Sequence, residues 1–240
     1  MKILCIGDSL GLPREGCSVE ETWPSLLRKN YPKHTIIEEF QRERLIDNAV
    51  KNYNKKFKQY NADIVILQLG ICDCAPRYVN KTSIVNRIIR KAFTIIGLSD
   101  FYWEKVKSRP RRQNCVFTKP KRFTNLYNKL ISGAVTDGAT VIIIEIGHGG
   151  GTVLKSSPYF NFNVDVYNCI IEAISKKYNK KVYIVNPLNE VDDDLFVDGY
   201  HCNGKGMRKV YDELCNILDV ICKSKSEQML ISKNNKNSIE

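Results

Sequence analysis

Two short segments at opposite ends of the chain carry residue types that could perform nucleophilic catalysis. Positions 7–10 read Gly-Asp-Ser-Leu directly after an apolar run, and positions 198–201 read Asp-Gly-Tyr-His. A hydroxyl on a tight turn after a strand lies at the sheet edge where open α/β folds bind ligands. A carboxylate three residues before a histidine can orient the imidazole and leave its Nε2 facing a nucleophile. Ser9 as nucleophile, His201 as general base and Asp198 as the orienting acid therefore form a complete set for acyl transfer.

The pattern of apolar runs predicts the elements that must position these residues. Two runs, at 64–67 and 141–144, are apolar at every position and largely β-branched, as strands buried on both faces of a parallel sheet must be. Helical patterns alternate with the runs, which implies right-handed crossovers. We therefore predict an α/β fold, a three-layer α/β/α sandwich with a mostly parallel five-stranded sheet. The predicted strands are Lys2–Ile6, Thr35–Ile37, Asp63–Leu69, Ala139–Ile146 and Lys181–Val185. The predicted helices are Thr22–Asn30, Leu45–Tyr60, Phe123–Val135, Asn163–Tyr178 and one that starts after Asn203 as its N-cap.

On these residues the sequence resembles the SGNH hydrolases, also called the GDSL esterase/lipase family. The family's first block is intact at 7–10, its last block is intact at 198–201, and the strand spacing agrees from Met1 to about Lys223. The resemblance implies one domain over residues 1–223 with a flavodoxin-like fold. It also implies ester hydrolysis or acyl transfer through a serine acyl-enzyme.

The chain departs from the family pattern where the oxyanion of the reaction would be held. The third block, Gly-x-Asn-Asp in the family, reads Gly70-Ile71-Cys72-Asp73 here. A thiol is a weak hydrogen-bond donor, and the loss of one good oxyanion donor costs about 10²–10³ in rate. We expect Gly70, Cys72 and Asp73 to form an altered oxyanion wall. An alternative for Asp73 is that it caps the loop by accepting backbone N–H groups.

Four further features leave alternatives open. The second-block glycine is missing from positions 40–44, where a backbone N–H of any residue could serve. Positions 147–151 read Gly-His-Gly-Gly-Gly, whose N–H groups could replace the missing donor, although a flexible loop is the simpler interpretation. We expect no helix directly after it, and therefore no phosphate-binding loop.

Cys202 lies beside His201, but a catalytic base must meet its nucleophile in space, so a Cys-His pair is disfavoured. Ser9 itself has the alternative of an ordinary turn serine.

The net charge of +11 belongs to one segment of the 240-residue chain. Residues 77–122 contain 13 Lys or Arg and two acids, so the rest of the chain is neutral. About fifty residues separate the third strand from the next predicted core helix, more than a compact α/β unit needs. The apolar spacing in the first half of the segment is helical. We therefore predict a basic, partly helical, amphipathic insert, with a solvated charged face as the alternative. Arg77, at its start, is expected to reach the site and to hold a carboxylate or phosphate.

Composition limits the compartment and the partners. Nine scattered cysteines without a C-x-x-C pair argue against a disulfide framework or a zinc site. No apolar run approaches the roughly 18 residues of a spanning helix, and no signal-peptide pattern is present. We expect a cytoplasmic protein without metal or cofactor that could touch the inner membrane face. Residues 224–240 are expected to form a disordered tail.

The leading functional hypothesis is a serine esterase that removes or transfers an O-acyl group. The expected group is an acetyl on a carbohydrate or on a lipid-linked glycan, because the stretch 70–77 resembles a family branch associated with surface-polysaccharide loci. The alternative is a catalytically weakened SGNH-fold protein that binds an anionic polymer such as an acidic glycan, a membrane surface or a partner through its basic insert. Nucleic acid is disfavoured because no recognition motif accompanies the charge. The sequence does not determine the oligomeric state.

Overall fold

A parallel sheet lies at the centre of the structure. The structure is a computed structural model that describes residues 1–79 and 84–237, with side chains up to residue 223. Within these residues the sheet has five strands in the order β2-β1-β3-β4-β5, and every neighbouring pair is parallel. The strands are β1 Lys2–Gly7, β2 Thr35–Phe40, β3 Ile64–Gln68, β4 Thr140–Ile144 and β5 Val182–Val185. The predicted five-stranded parallel sheet is confirmed.

The three inner strands are buried on both faces, which explains their continuous apolar runs. Successive side chains of a strand point to opposite faces. In β3, Val65 and Leu67 belong to one core cluster, while Ile64 and Ile66 belong to the other. β1 and β4 divide between the same two clusters in the same way. The sheet thus separates two hydrophobic cores, as the predicted three-layer sandwich requires.

Helices cover both faces of the sheet. α1 packs on α9 over one core, while α2, α6 and α8 pack side by side over the other. The helices are α1 Trp23–Asn30, α2 Ile46–Lys55, α3 Ile71–Cys74, α4 Ile84–Ile95, α5 Ser99–Lys107, α6 Pro120–Thr136, α7 Gly151–Ser156, α8 Phe160–Ser175 and α9 Gly204–Asn237. The three-layer α/β/α architecture is therefore confirmed.

The last helix begins as predicted and extends further than predicted. The Asn203 side chain accepts hydrogen bonds from the backbone N–H groups of Lys205 and Gly206 at 2.9 and 3.1 Å, so it is the N-cap. The helix then continues to Asn237, through residues 224–237 that the sequence analysis assigns to a disordered tail. No glycine or proline follows Gly206, so nothing in the sequence interrupts the helix. Residues 238–240 of the predicted tail lie outside the described residues.

The basic insert is partly helical, as predicted, and the segments before and after its helices are hydrogen-bonded to each other. The backbone N–H of Arg77 donates to Cys115 at 2.7 Å, and that of Arg112 donates to Arg77 at 3.2 Å. These two bonds close the base of the segment that contains α4 and α5.

None of the helices among the described residues has the length and apolar composition that a bilayer-spanning helix requires.

Candidate active site

Ser9, His201 and Asp198 meet at the carboxyl edge of the sheet. Ser9 Oγ lies 3.1 Å from His201 Nε2, and His201 Nδ1 lies 2.7 Å from Asp198 Oδ2. The other oxygen of Asp198 accepts the backbone N–H of His201 at 3.0 Å. The structure thus brings the three predicted residues into one hydrogen-bonded chain across 192 positions of sequence. This geometry lets the imidazole accept the proton of the hydroxyl while the carboxylate fixes the ring.

An aromatic ring packs against the turn that carries Ser9. A methyl group at Gly7 or Gly11 would collide with the ring of Phe40, the last residue of β2. Glycine at both positions therefore lets the ring cover the turn. Asp8 caps the short turn by accepting the backbone N–H of Leu10 at 2.9 Å. Burial raises the pKa of Asp8 to about 7, and the charge of Asp73 adds to the rise.

The loop that carries Asp198 and His201 is held by the glycine-rich segment. Gly199 has a φ of +94°, and a Cβ there would lie 2.9 Å from the backbone nitrogen of Val153 in α7. Its carbonyl accepts the N–H of Gly150 at 2.6 Å. The N–H groups of Gly149 and Gly151 donate to Asn161 and Asp193 respectively. These three N–H groups are committed to protein acceptors, so they do not replace the missing oxyanion donor.

The structure also corrects the predicted surroundings of this glycine-rich segment. The sequence predicts no helix directly after it, but α7 begins at Gly151. The helix has six residues, too few for a clear periodic pattern in the sequence. The segment is also tied to its neighbours through Gly149, Gly150 and Gly151, rather than being the freely flexible loop that the sequence favours.

Two arginines that the sequence analysis did not single out lie at the site. Arg14 donates from Nη2 to the carbonyl oxygen of Ser9 at 2.7 Å. Burial lowers the pKa of His201 below its ordinary 6.5, Asp198 opposes this, and the charges of Arg14 and Arg42 add to the lowering. The hydrogen bonds from His201 hold the pKa of Asp198 below its ordinary value, although burial opposes them. At neutral pH the pair is therefore a neutral imidazole beside a carboxylate.

Tyr200 adds an aromatic wall beside the candidate base. Its ring lies 4.1 Å from the His201 ring, measured between centroids, with an angle of 32° between the planes. On its other side it contacts Phe160 at 5.8 Å. This packing limits the rotation of the imidazole. Its position inside the Asp-x-x-His motif was the one signal in the sequence that could have marked it.

Cys72 lies in the first turn of α3, and it is only 9% exposed. Burial raises the pKa of its thiol well above the ordinary value, and the charge of Asp8 contributes. The group is thus a neutral thiol. Gly70, which precedes α3, has a φ of +129°, and a Cβ there would contact Ile146 at 2.6 Å. Gly70 is therefore required by the backbone, whatever part its N–H takes in binding.

Asp73 makes the contacts expected of the loop-capping alternative. Its carboxylate accepts the N–H of Ile46, the first residue of α2, at 3.1 Å and the hydroxyl of Thr118. Burial raises the pKa of Asp73 to about 6, while the hydrogen bonds and the charge of Arg77 oppose the rise. The side chain is fully buried. It links the third block to the start of α2 and to Thr118, which lies near the end of the insert. Its role as part of an oxyanion wall stays a prediction.

Arg77 is engaged with protein groups. Its Nη2 donates to the carbonyl of Cys72 at 3.1 Å, and its guanidinium carbon lies 4.3 Å from the centre of the Phe117 ring. These contacts fasten the start of the insert onto α3. The predicted binding of a substrate anion by Arg77 stays a prediction.

The segment at positions 40–44, where the second block is expected, contains a residue with a positive φ. Glu43 has a φ of +55°, in the left-handed region that favours glycine. The family pattern has a glycine within positions 40–44, so this chain keeps a glycine-type conformation there without the glycine. The charge of Glu43 contributes to the raised pKa of Cys72, which indicates that the two segments are neighbours.

The other reactive groups near the site do not form a competing centre. Cys202 is buried, and burial raises the pKa of its thiol to about 12, which leaves it protonated and unreactive at neutral pH. Among the residues that the structure describes, no cluster of three His, Cys, Asp or Glu side chains could hold a metal ion.

Solved structures share this architecture over nearly their whole length. A lipase/acylhydrolase from Enterococcus faecalis superimposes with a TM-score of 0.63 at 13% identity, covering 90% of this chain and 94% of that one. The psychrotrophic esterase EstA from Pseudoalteromonas gives 0.59 at 17%, covering 91% and 98%. An acetyl xylan esterase gives 0.60 at 16%, covering 90% and 99%. Comparison with protein-family models and with curated proteins finds no match.

The chain has the fold of the GDSL/SGNH-type hydrolases, to which these structural neighbours belong. The resemblance drawn from positions 7–10 and 198–201 is thus confirmed at the level of fold. The assignment to a polysaccharide-associated branch stays a prediction.

Proposed function

We propose that this protein is a serine esterase that removes an O-acyl group, with acetyl as the preferred group and a carbohydrate or lipid-linked glycan as the carrier. The observation that carries the proposal is the hydrogen-bonded chain from Ser9 through His201 to Asp198. A hydroxyl, a neutral imidazole and a carboxylate in this order are the parts required for acyl-enzyme chemistry. The SGNH fold, which is shared with esterases and an acetyl xylan esterase, supports the reaction class.

The reaction would proceed in two stages. Ser9 Oγ attacks the acyl carbonyl as its proton passes to His201 Nε2, and the imidazolium then protonates the departing alcohol oxygen. Water, or a sugar hydroxyl in a transfer reaction, then attacks the acyl-Ser9 ester as His201 takes its proton. The imidazolium returns this proton to Ser9 Oγ as the acyl–oxygen bond breaks, which releases the acid or the new ester and restores the site. Asp198 stabilises the imidazolium through both stages.

The oxyanion would be held by the backbone N–H of Ser9 and by a second donor from the segments around Cys72 and Glu43. A neutral thiol is a poor candidate for that donor. The positive charges of Arg14 and Arg42 supply a favourable field for the developing negative charge. We therefore expect a working enzyme whose turnover is lower than that of a site with the full donor set.

The experiment that tests the proposal is hydrolysis of p-nitrophenyl esters by the purified protein. We expect catalysed hydrolysis of the acetate, with lower kcat/KM for the butyrate and octanoate esters, and release of acetate from acetylated oligosaccharides. The absence of catalysed hydrolysis across the whole series would contradict the proposal. Faster hydrolysis of the octanoate than of the acetate would support esterase activity but contradict the preference for acetyl groups.

The pH dependence of this activity follows from the environment of His201. The general base acts only as neutral imidazole, so activity is lost as the pH falls through the pKa of His201. Because burial and the two arginines lower that pKa, the acid limb of kcat/KM should have its midpoint below 6.5. Arg42→Ala removes one of the positive charges and should move the midpoint upward. Lys29→Ala, on the exposed end of α1, is the matched control and should leave it in place. A midpoint above 6.5 in the unaltered protein would contradict this assignment of the base.

A further inference from the structure

The helical hairpin formed by α4 and α5 has an apolar surface without a core to cover it. Neither helix contains a buried residue. Fourteen large hydrophobic residues are exposed in the described part of the chain, and eight of them lie between positions 84 and 101. They are Ile84, Val85, Ile88, Ile89, Ile95, Ile96, Leu98 and Phe101. Amphipathic helices normally bury their apolar side, so this surface indicates a partner outside the domain.

The same hairpin and the loop that follows it are strongly basic. Residues 84–112 contain eight Lys or Arg and two acids, a net charge of +6. The remainder of the chain outside the insert is neutral. The partner must therefore be both apolar and negatively charged at the surface it presents.

We propose that the α4–α5 hairpin is a docking element for an anionic lipid bilayer. An amphipathic helix with a basic polar side lies in the membrane interface, with its apolar side in the acyl boundary and its cations among the headgroups. A soluble polyanion would match the charge but would leave eight large apolar residues in water. A second copy of the chain would match the apolar surface but would bring two segments of +6 together, at a cost in repulsion. The bilayer satisfies both properties.

A cleft between the hairpin and the base of the insert has the same combined chemistry. Its volume is about 530 Å³, and it is lined by apolar side chains that include Ile89, Phe93 and Phe101. Lys105, Arg109 and Arg112 also line it. An apolar cavity with adjacent cations fits an acyl chain that carries an anionic headgroup. This cleft therefore strengthens the choice of a lipid over a polymer.

The base of the insert links this surface to α3. Arg77 joins the base of the hairpin to Cys72 in α3, and the thiol of Cys72 interacts electrostatically with Asp8, the neighbour of Ser9. Docking would hold the catalytic edge of the sheet near the membrane, which would favour a lipid-linked ester. This consequence rests on the proposed function, whereas the docking itself does not.

The test is co-sedimentation of the full-length protein with phosphatidylcholine vesicles that either contain or lack phosphatidylglycerol. We expect binding to the anionic vesicles at least roughly tenfold tighter than to the neutral ones, weakening as salt is raised. Replacing Arg87, Arg90 and Lys91 together by Gln should weaken binding roughly 10²-fold, at about 1 kcal/mol per cation. Each of these side chains is exposed on α4, so the domain should fold normally.

A second variant separates the bilayer from a soluble polyanion. Ile88→Asp places a charge on the apolar surface of α4 and should reduce vesicle binding more than tenfold. Val220→Asp is the matched control, because Val220 is 56% exposed on α9 and Ile88 is 62% exposed. It should bind vesicles like the unaltered protein.

Three outcomes would overturn the docking proposal. The first is equal binding to neutral and anionic vesicles, or binding to neither. The second is heparin binding that survives Ile88→Asp while vesicle binding is absent, which would indicate a polyanion. The third is concentration-dependent dimerisation in light scattering that Ile88→Asp abolishes, without vesicle binding. Since Ser9→Ala should bind vesicles normally, failure of docking and failure of catalysis are separately visible.

Discussion

Replacing Ser9 by Ala should reduce the hydrolysis of p-nitrophenyl acetate by about 10⁴-fold or more. The substitution removes the hydroxyl that lies 3.1 Å from His201 Nε2 and with it the acyl-enzyme route. In serine hydrolases the loss of the nucleophile costs about as much as the loss of the whole triad, because the three residues act as one unit. The residual rate would come from the oxyanion donors and from substrate binding alone.

The controls for Ser9→Ala separate chemistry from folding. Ser108→Ala, in an exposed position directly after α5, should keep full activity. The melting temperature of Ser9→Ala should stay close to that of the unaltered protein, because Ser9 is a half-buried turn residue whose backbone contacts remain. Hydrolysis that persists at the original rate in Ser9→Ala would show that another group is the nucleophile.

Replacing Cys72 by Asn should raise kcat by about 10²–10³, the value of one good oxyanion donor. The substitution restores the residue that the SGNH pattern has at this position. Its amide donates well, whereas the buried neutral thiol donates weakly. Because Cys72 is only 9% exposed, the larger side chain also costs some packing, and the melting temperature is expected to fall by a few degrees.

Cys72→Ala shows whether the thiol itself contributes. It removes the weak donor without adding a new one, so activity should change by less than about threefold. A loss of about 10²-fold in Cys72→Ala would mean that the thiol is the second oxyanion donor in this chain. An unchanged kcat in a well-folded Cys72→Asn would mean that the donor lies elsewhere, for example in the segment around Glu43.

Much of the fold follows from local patterns in the sequence. The runs at 64–67 and 141–144 are apolar at every position because β3 and β4 are covered on both faces. Asn203 is recognisable as an N-cap because its short polar side chain precedes a long stretch with apolar residues at helical spacing. Ser9 and His201 could be paired because each follows an element that ends at the same edge of the sheet.

Two of the features that were not predicted depend on contacts between distant segments. A count of charge along the sequence assigns the whole positive excess to the insert. It does not reveal Arg14 and Arg42, which lie in the neutral part of the sequence and act on His201 only in the folded protein. The use of the Gly150 N–H by Gly199 likewise joins loops 49 positions apart. The helical course of α9 beyond residue 223 was missed because its sequence is polar, although it contains no helix-breaking residue.

The most direct test of the account is intact-mass analysis after treatment with a fluorophosphonate, followed by peptide mapping. The reagent phosphonylates a serine that an adjacent base activates. We predict a single adduct on Ser9, formed much more slowly in His201→Ala and absent in Ser9→Ala and in heat-denatured protein. An unlabelled native protein, or an adduct on any other residue, would contradict the assignment of Ser9, His201 and Asp198 as a catalytic triad.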